Sequence, residues 1–195
     1  MVVEAHSRET LPVRRCPGVP RHADPTADAA ACAAIYAPHV SDGVASFEER
    51  PPDAEEMGRR IAETSERYPW LVAERDGEVA GYAYASAHRS RAGYRWAADV
   101  AVYVEGRRHG TGVGRELYGA LLPLLARQRL HVACAGIALP NDSSVALHER
   151  FGFELVGIYR AIGFKRDRWL DVGWWQLRLR PPTAPPEEPL GPQRL

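Results

Sequence analysis

The chain has 195 residues, enough for one domain with a full core and marginal for two. Its 25 Lys and Arg balance 25 Asp and Glu, which argues against a nucleic-acid or anionic-membrane binder, whose footprint is a basic excess. Three cysteines, Cys16, Cys32 and Cys134, form no CxxC pair and no ligand spacing with the 7 histidines, so neither a disulfide framework nor a metal site is indicated.

Residues 1–12 show no periodicity and read as a flexible extension. Residues 13–19 suggest a first strand, weakened to an edge position by Pro17 and Pro20. Asp24 as N-cap and Pro25 at the first helical position open a helix that runs through 29–36 and stops before Pro38. After a short apolar piece at 43–47, Pro51-Pro52-Asp53 opens a second helix over 53–66. Strand-like runs at 70–75 and 78–86 are joined by Asp76-Gly77, a hairpin turn with positive φ at both centres. A polar, basic loop covers 87–95, and residues 99–104 alternate small and β-branched apolar side chains as a buried strand does.

A charged turn then leads to Gly110-Thr111-Gly112-Val113-Gly114 and a helix with Leu117, Leu121, Leu124 and Leu125 on one face. Pro123 predicts a kink or an early end near Leu122. Residues 130–139 form a strongly apolar strand, with Cys134 as a buried thiol, closed by Pro140. The run Asn141-Asp142-Ser143-Ser144 offers N-caps for a short helix through Arg150, ended by Gly152. Two last strands, 153–164 and 170–179, precede residues 181–195, whose Pro-rich composition reads as a disordered tail. The order β-α-α-β-β-β-α-β-α-β-β is that of an α+β domain with a mixed sheet. The right-handed crossover rule makes the strands at 99–104 and 130–139 parallel neighbours if they share that sheet.

The glycine loop carries the clearest chemistry. Glycines on alternate positions let an anion approach backbone N–H groups at a helix N-terminus, where the dipole is positive. Arg107, Arg108, His109 and Arg115 add cationic side chains around this cradle, so it reads as a pyrophosphate site, with a glycine-rich turn lacking any ligand as the alternative. No Lys-Ser or Lys-Thr follows the glycines, which excludes an ATP-type P-loop. Arg115 or Leu117 stands where a third glycine of GxGxxG is needed, which excludes the dinucleotide fingerprint. Coenzyme A is the best remaining candidate on the strength of the resemblance that the following motifs carry.

The strand–RRHGTGVG–helix element, the strand ending Leu139-Pro140-Asn141-Asp142, and the helix 144–150 before Phe151-Gly152-Phe153 together resemble the GNAT superfamily of acetyl-CoA-dependent N-acetyltransferases. More narrowly, RYPWLVAE at 67–74, Tyr94-Arg95-Trp96 and DVGWWQ at 171–176 are similar to the phosphinothricin and methionine-sulfoximine N-acetyltransferases, over about residues 13–180. The resemblance implies a GNAT fold, a central mixed sheet splayed between two parallel strands and flanked by helices. Acetyl-CoA would be the cosubstrate, with no metal, and its pantetheine arm would pair with the backbone of Val102, Tyr103 and Val104. Its pyrophosphate would rest on Arg107, Gly110, Thr111, Gly112, Val113, Gly114 and Arg115, and Asn141 would contact the pantetheine arm or simply cap the following helix. His109 departs from the Gln or Arg usual at its position.

Asp99 stands where related enzymes carry a Glu general base; one methylene shorter, it favours a water relay, unless it is only a strand-end ion-pair partner. His148 occupies the position of a thiolate proton donor and reads alternatively as an ordinary helix-face histidine. Arg89, Ser90 and Arg91 align with a basic loop that grips an acidic amino-acid substrate, or else form a solvated surface, and Phe47 lines its pocket. The expected activity is acetyl transfer to the free amine of a small acidic amino-acid analogue of the phosphinothricin or methionine sulfoximine type. The alternatives are another amine, such as a protein N-terminus, or a non-catalytic coenzyme A binder. Family likeness and five tryptophans suggest a homodimer. No run reaches the roughly 18 apolar residues of a membrane span and no signal peptide opens the chain, so a cytoplasmic location is expected.

Overall fold

The computed structural model describes residues 18–192. Residues 1–12, and most of the strand expected at 13–19, lie outside the described residues. The elements are β1 (Arg21–His22), α1 (Ala29–Ser41), α2 (Ala54–Ser65), β2 (Trp70–Arg75), β3 (Glu78–Ala87), β4 (Ala97–Val104), α3 (Val113–Arg127), β5 (Val132–Leu139), α4 (Asp142–Arg150), β6 (Glu154–Lys165) and β7 (Arg168–Arg178). The strands form one mixed sheet in the order β1-β2-β3-β4-β5-β7-β6.

Period-two alternation divides the apolar residues between the two faces of this sheet. Leu71 and Ala73 of β2 pack beneath α3 with Leu117, Tyr118, Leu121 and Leu125. Trp70 and Val72 face the other way, against Ile35 and Val40 of α1 and Met57 and Ile61 of α2. The β2–β3 turn is the expected one, with φ 56° at Asp76 and 85° at Gly77.

The parallel pair β4–β5 is short. It holds only from Ala97↔Val132 through Ala98↔Ala133 to Asp99↔Cys134. Beyond Asp99, β4 keeps its partner β3 as far as Gly81↔Val104, while β5 keeps β7 as far as Leu139↔Asp171. The two strands therefore part at Asp99, and the backbone edges facing each other beyond it are unpaired.

Three expectations are corrected. The first helix starts later and contains Pro38, because Asp24 accepts from Thr26 N and Ala27 N (both 2.8 Å) and caps a preceding turn instead. Pro123 does not end α3, whose buried residues Leu121, Leu122 and Leu125 hold both sides of the proline against the sheet. The Pro-rich tail is tied down: Leu190 N donates to Gln128 O (2.9 Å), Trp96 Nε1 donates to Glu187 O (2.8 Å), and Arg95 pairs with Glu188 at 2.6 Å. Composition gives no sign of this, since every partner lies far away in sequence.

Candidate active site

The splay and the glycine loop form one cavity of about 580 Å³. Its wall includes residues 100–104 of β4, residues 135–138 of β5, the loop at Arg108, His109, Gly110 and Gly112, the start of α3, and α4. Gly110 (φ +73°) and Gly112 (φ +91°) adopt left-handed backbone, as glycine does most easily. Gly112 is the N-cap of α3 and offers no capping side chain. Glu116 N bonds Gly112 O at 3.0 Å, whereas the N–H groups of Val113, Gly114 and Arg115 find no acceptor among the described residues. Three donors and the helix dipole thus converge beside the open space left by the missing side chains of Gly110 and Gly112, a cradle suited to a pyrophosphate.

The free edge of β4 can be read residue by residue. Trp96 O accepts from His131 N and Val132 N on the β5 side, whereas Glu105 N donates to Ala80 O on the β3 side. Since the strand alternates and pairs regularly between these points, Val100, Val102 and Val104 turn their N–H and C=O groups into the splay. Tyr103 turns its backbone toward β3, and its ring packs edge-on against Tyr36 at 4.9 Å on the opposite face. His109 Nε2 donates to Val104 O at 3.0 Å, so that carbonyl is already engaged.

Other residues of the expected cofactor set are distributed unevenly. Gly110, Gly112, Val113, Gly114, Arg115 and Asn141 line the cavity. Arg107 does not; it is exposed and pairs with Glu105, while Arg108 takes a place on the wall and pairs with Asp76 at 2.9 Å. Thr111 also stays off the wall and donates to Arg108 O (2.6 Å), which fixes the loop. Asn141 Oδ1 accepts from Ser144 N (3.2 Å), so it does cap α4, and it lines the cavity as well.

A second cavity, of about 660 Å³, meets the first along Ala45, Val100, Ala101, Gly136 and Ala138. Asp99, Ser86, Tyr84 and Trp174 line one side, and Phe47, Tyr159, Ile162 and Phe164 the other. Its shape depends on the loop between α1 and α2, which Lys165 clamps by donating Nζ to the carbonyls of Val40 (2.6 Å), Ser46 (2.6 Å) and Glu48 (2.9 Å). The bulged β6 supplies the outer wall: Ala161 (φ +47°) donates its N–H to Asp171 Oδ1 at 2.9 Å, which pushes the neighbouring Ile162 outward.

Asp99 sits where the strands part. Its Oδ1 lies 2.6 Å from His88 Nδ1. Burial pushes its carboxyl above the usual carboxylate range, and the His88 hydrogen bond works against that rise. The thiol of Cys134 lies within 4.8 Å of both and is itself pushed up to about 11 by burial. His88 escaped the sequence reading. The only signal was its place beside the basic loop, and its partnership depends on a register, Ser86↔Asp99, that no spacing states. Arg89 leans over the Trp174 ring at 5.8 Å, while Ser90 and Arg91 are exposed and make no side-chain hydrogen bond among the described residues.

His148 is 3 % exposed, and both of its nitrogens are engaged. Nδ1 donates to Ser144 O at 2.7 Å, which leaves Nε2 to accept from the Tyr118 hydroxyl at 2.8 Å. Burial lowers its pKa, so the ring is held neutral. Neither nitrogen reaches into the cleft without breaking one of these bonds.

Comparison with known proteins agrees with this geometry. Residues 23–174 match the family model described as Acetyltransferase (GNAT) domain. The phosphinothricin N-acetyltransferase of Streptomyces viridochromogenes is 40 % identical over 159 residues, covering 82 % of this chain and 87 % of that one. The L-methionine sulfoximine/L-methionine sulfone acetyltransferase of Pseudomonas paraeruginosa is 38 % identical over 162 residues, covering 82 % and 94 %. The crystal structure of a phosphinothricin acetyltransferase from Sinorhizobium meliloti in complex with AcCoA superposes with a TM-score of 0.81 at 38 % identity, covering 88 % of this chain and 92 % of that one.

Proposed function

The chain belongs to the GNAT acetyltransferase family, and from that premise we propose that it moves the acetyl group of acetyl-CoA to the free α-amine of a small acidic amino-acid analogue of the phosphinothricin or methionine sulfoximine type. The observation that carries this reading is the meeting of the two cavities beside Asp99. One cavity has the donors a pyrophosphate and a pantetheine amide require, and the other is aromatic-walled, with Arg89 leaning over its Trp174.

The thioester supplies an acyl group already activated toward a neutral amine. The chain's own residues do the rest. The N–H groups of residues 113–115 hold the pyrophosphate, with Arg108 and Arg115 close by. Val102, with both backbone groups free, pairs with the pantetheine arm as an added strand. The splay-facing N–H groups of Val100 and Val102 are the candidates to polarise the thioester carbonyl. Arg89 and Arg91 pair with the acidic group of the substrate and turn its amine toward Asp99, around which the basic group of the site is built. His148 acts as a positioning residue, joining α4 to α3 through Tyr118 and fixing the cleft wall.

Replacing Arg89 and Arg91 together by Ala tests the substrate assignment. KM for phosphinothricin is expected to rise by roughly tenfold or more with KM for acetyl-CoA unchanged, the loss of a bidentate pair contributing about 1.5–3 kcal/mol. Equal KM values in variant and wild type would remove the arginines from the substrate site.

A homodimer completes the reading. Val156, Ile162, Phe164 and Trp169 on the outer β6–β7 hairpin are 57–65 % exposed, and two of them also wall the substrate cavity. A second copy seated there would cover this patch and close that wall. Sedimentation should give twice the chain mass for wild type and a monomer for Ile162→Glu. The free thiols of Cys32 and Cys134 suit a reducing cytoplasm, and among the described residues no helix is long and apolar enough to cross a membrane.

A further inference from the structure

We propose that His88, held by Asp99, is the group that receives the substrate amine's proton, so that the base of this enzyme is a His88–Asp99 pair and not the carboxylate alone. This rests on the reading of the second cavity as the amine site. A carboxylate can only accept, so the 2.6 Å contact with Asp99 Oδ1 places the proton of the neutral imidazole on Nδ1 and the lone pair on Nε2. Nε2 has no partner among the described residues and is not buried, so it is open to a ligand. The ring is fixed edge-on by Trp174 (centroids 5.8 Å apart) and Tyr94 (6.0 Å). Trp174 and Asp99 both line the amine cavity and both touch the imidazole, which itself stands just behind that wall. An aspartate reaches one methylene less far than a glutamate, and the imidazole extends that reach.

His88 Nε2 forms its new N–H bond with the proton leaving the substrate nitrogen. The electron pair of the broken N–H bond stays on that nitrogen as it bonds to the acyl carbon. The C–S electrons leave with sulfur, which takes up a proton as the thiol, and the imidazolium returns its proton to solvent. Asp99 favours the cationic ring, and Arg89, whose guanidinium donates to His88 O at 2.9 Å, opposes it. Cys134 and Tyr94 are the other titratable neighbours, and burial pushes the Cys134 thiol up, which keeps it uncharged near pH 7.

The test combines turnover with a reading that needs no turnover. His88→Asn keeps a donor for Asp99 but has no nitrogen able to take a proton. Its kcat should fall on the order of 10²–10⁴-fold, with KM for acetyl-CoA unchanged and the acidic limb of the pH–rate profile lost. Free imidazole should restore part of the rate to His88→Ala. In the enzyme without substrates, ¹⁵N NMR of the neutral His88 ring should place its proton on Nδ1, and that preference should weaken in Asp99→Ala, because the acceptor is gone. If His88→Asn turns over like wild type while Asp99→Asn does not, the relay is wrong and the carboxylate is the base. If neither variant slows turnover, the assignment of the amine site itself fails. A His88 tautomer indifferent to Asp99→Ala would overturn the pair independently of activity.

Discussion

The ring of Phe47 lies against the backbone of Gly163, in the space that a Cβ at position 163 would fill. The loop between the first two helices can therefore close over the bulged β6 only because this residue has no side chain. Gly163→Ala should displace the ring and open the amine cavity. KM for the amine is expected to rise about tenfold, for a cost of about 1–3 kcal/mol, with KM for acetyl-CoA unchanged. Steady-state kinetics with each substrate varied in turn checks this.

Lys165 holds the same loop from below through three carbonyls. Lys165→Met removes the shared donor and leaves those oxygens to find water. The expected loss is on the order of 2–3 kcal/mol, read by denaturant unfolding, because hydrogen bonds from a charged group contribute more than neutral ones. KM for the amine should rise in parallel. A variant with wild-type stability and KM would show that the clamp is idle.

Gly112 stands at φ +91° with open space around its missing Cβ, so the cost of Gly112→Ala is purely conformational. About 1–2 kcal/mol of left-handed strain should either tilt the loop or weaken the cradle, raising the Kd for coenzyme A roughly tenfold. Calorimetric titration of coenzyme A into the variant measures it. The amine site, on the other side of the splay, should be unaffected.

Stability should depend on pH through His148. Burial lowers its pKa in the folded chain, so the unfolded chain binds a proton first as pH falls. The stabilisation is complete above the unfolded value of about 6.5 and is lost as pH falls through the folded value. Half-buried His39 acts in the same direction. Asp28 and Glu48, held below the usual carboxylate range by Arg21 and Arg60, act only at lower pH. Wild-type Tm should therefore drop between pH 7.5 and 5, and His148→Gln should flatten part of that slope. Identical slopes would mean that His148 does not stay neutral.

Much of the fold was legible because local rules and tertiary packing agree. Asp76-Gly77 demands its hairpin turn, Asp53 caps α2 by accepting from Glu56 N, and the glycine loop opens a helix between parallel strands. The misreadings share one cause. Pro38 and Pro123 sit inside helices whose apolar faces outweigh a missing hydrogen bond. The tail is held by Gln128, Trp96 and Arg95, residues about 60 to 90 positions away that no local window contains. The site follows the same division. The glycines announce themselves by their place before a helix, and Asp99 stands out only through the resemblance of its strand to related enzymes, while His88 and Lys165 gain meaning only from partners brought by the sheet register and a distant loop.

The central claim is the transfer of an acetyl group from acetyl-CoA to the amine of a small acidic amino acid. It is tested most directly by incubating the protein with acetyl-CoA carrying a ¹³C-labelled acetyl group and either phosphinothricin or methionine sulfoximine, and following the label by NMR. The account predicts that the label moves from the thioester to an amide on the α-nitrogen, catalytically and with release of one thiol per amide formed. Label that stays on coenzyme A with both compounds, while the protein demonstrably binds it, would contradict the account.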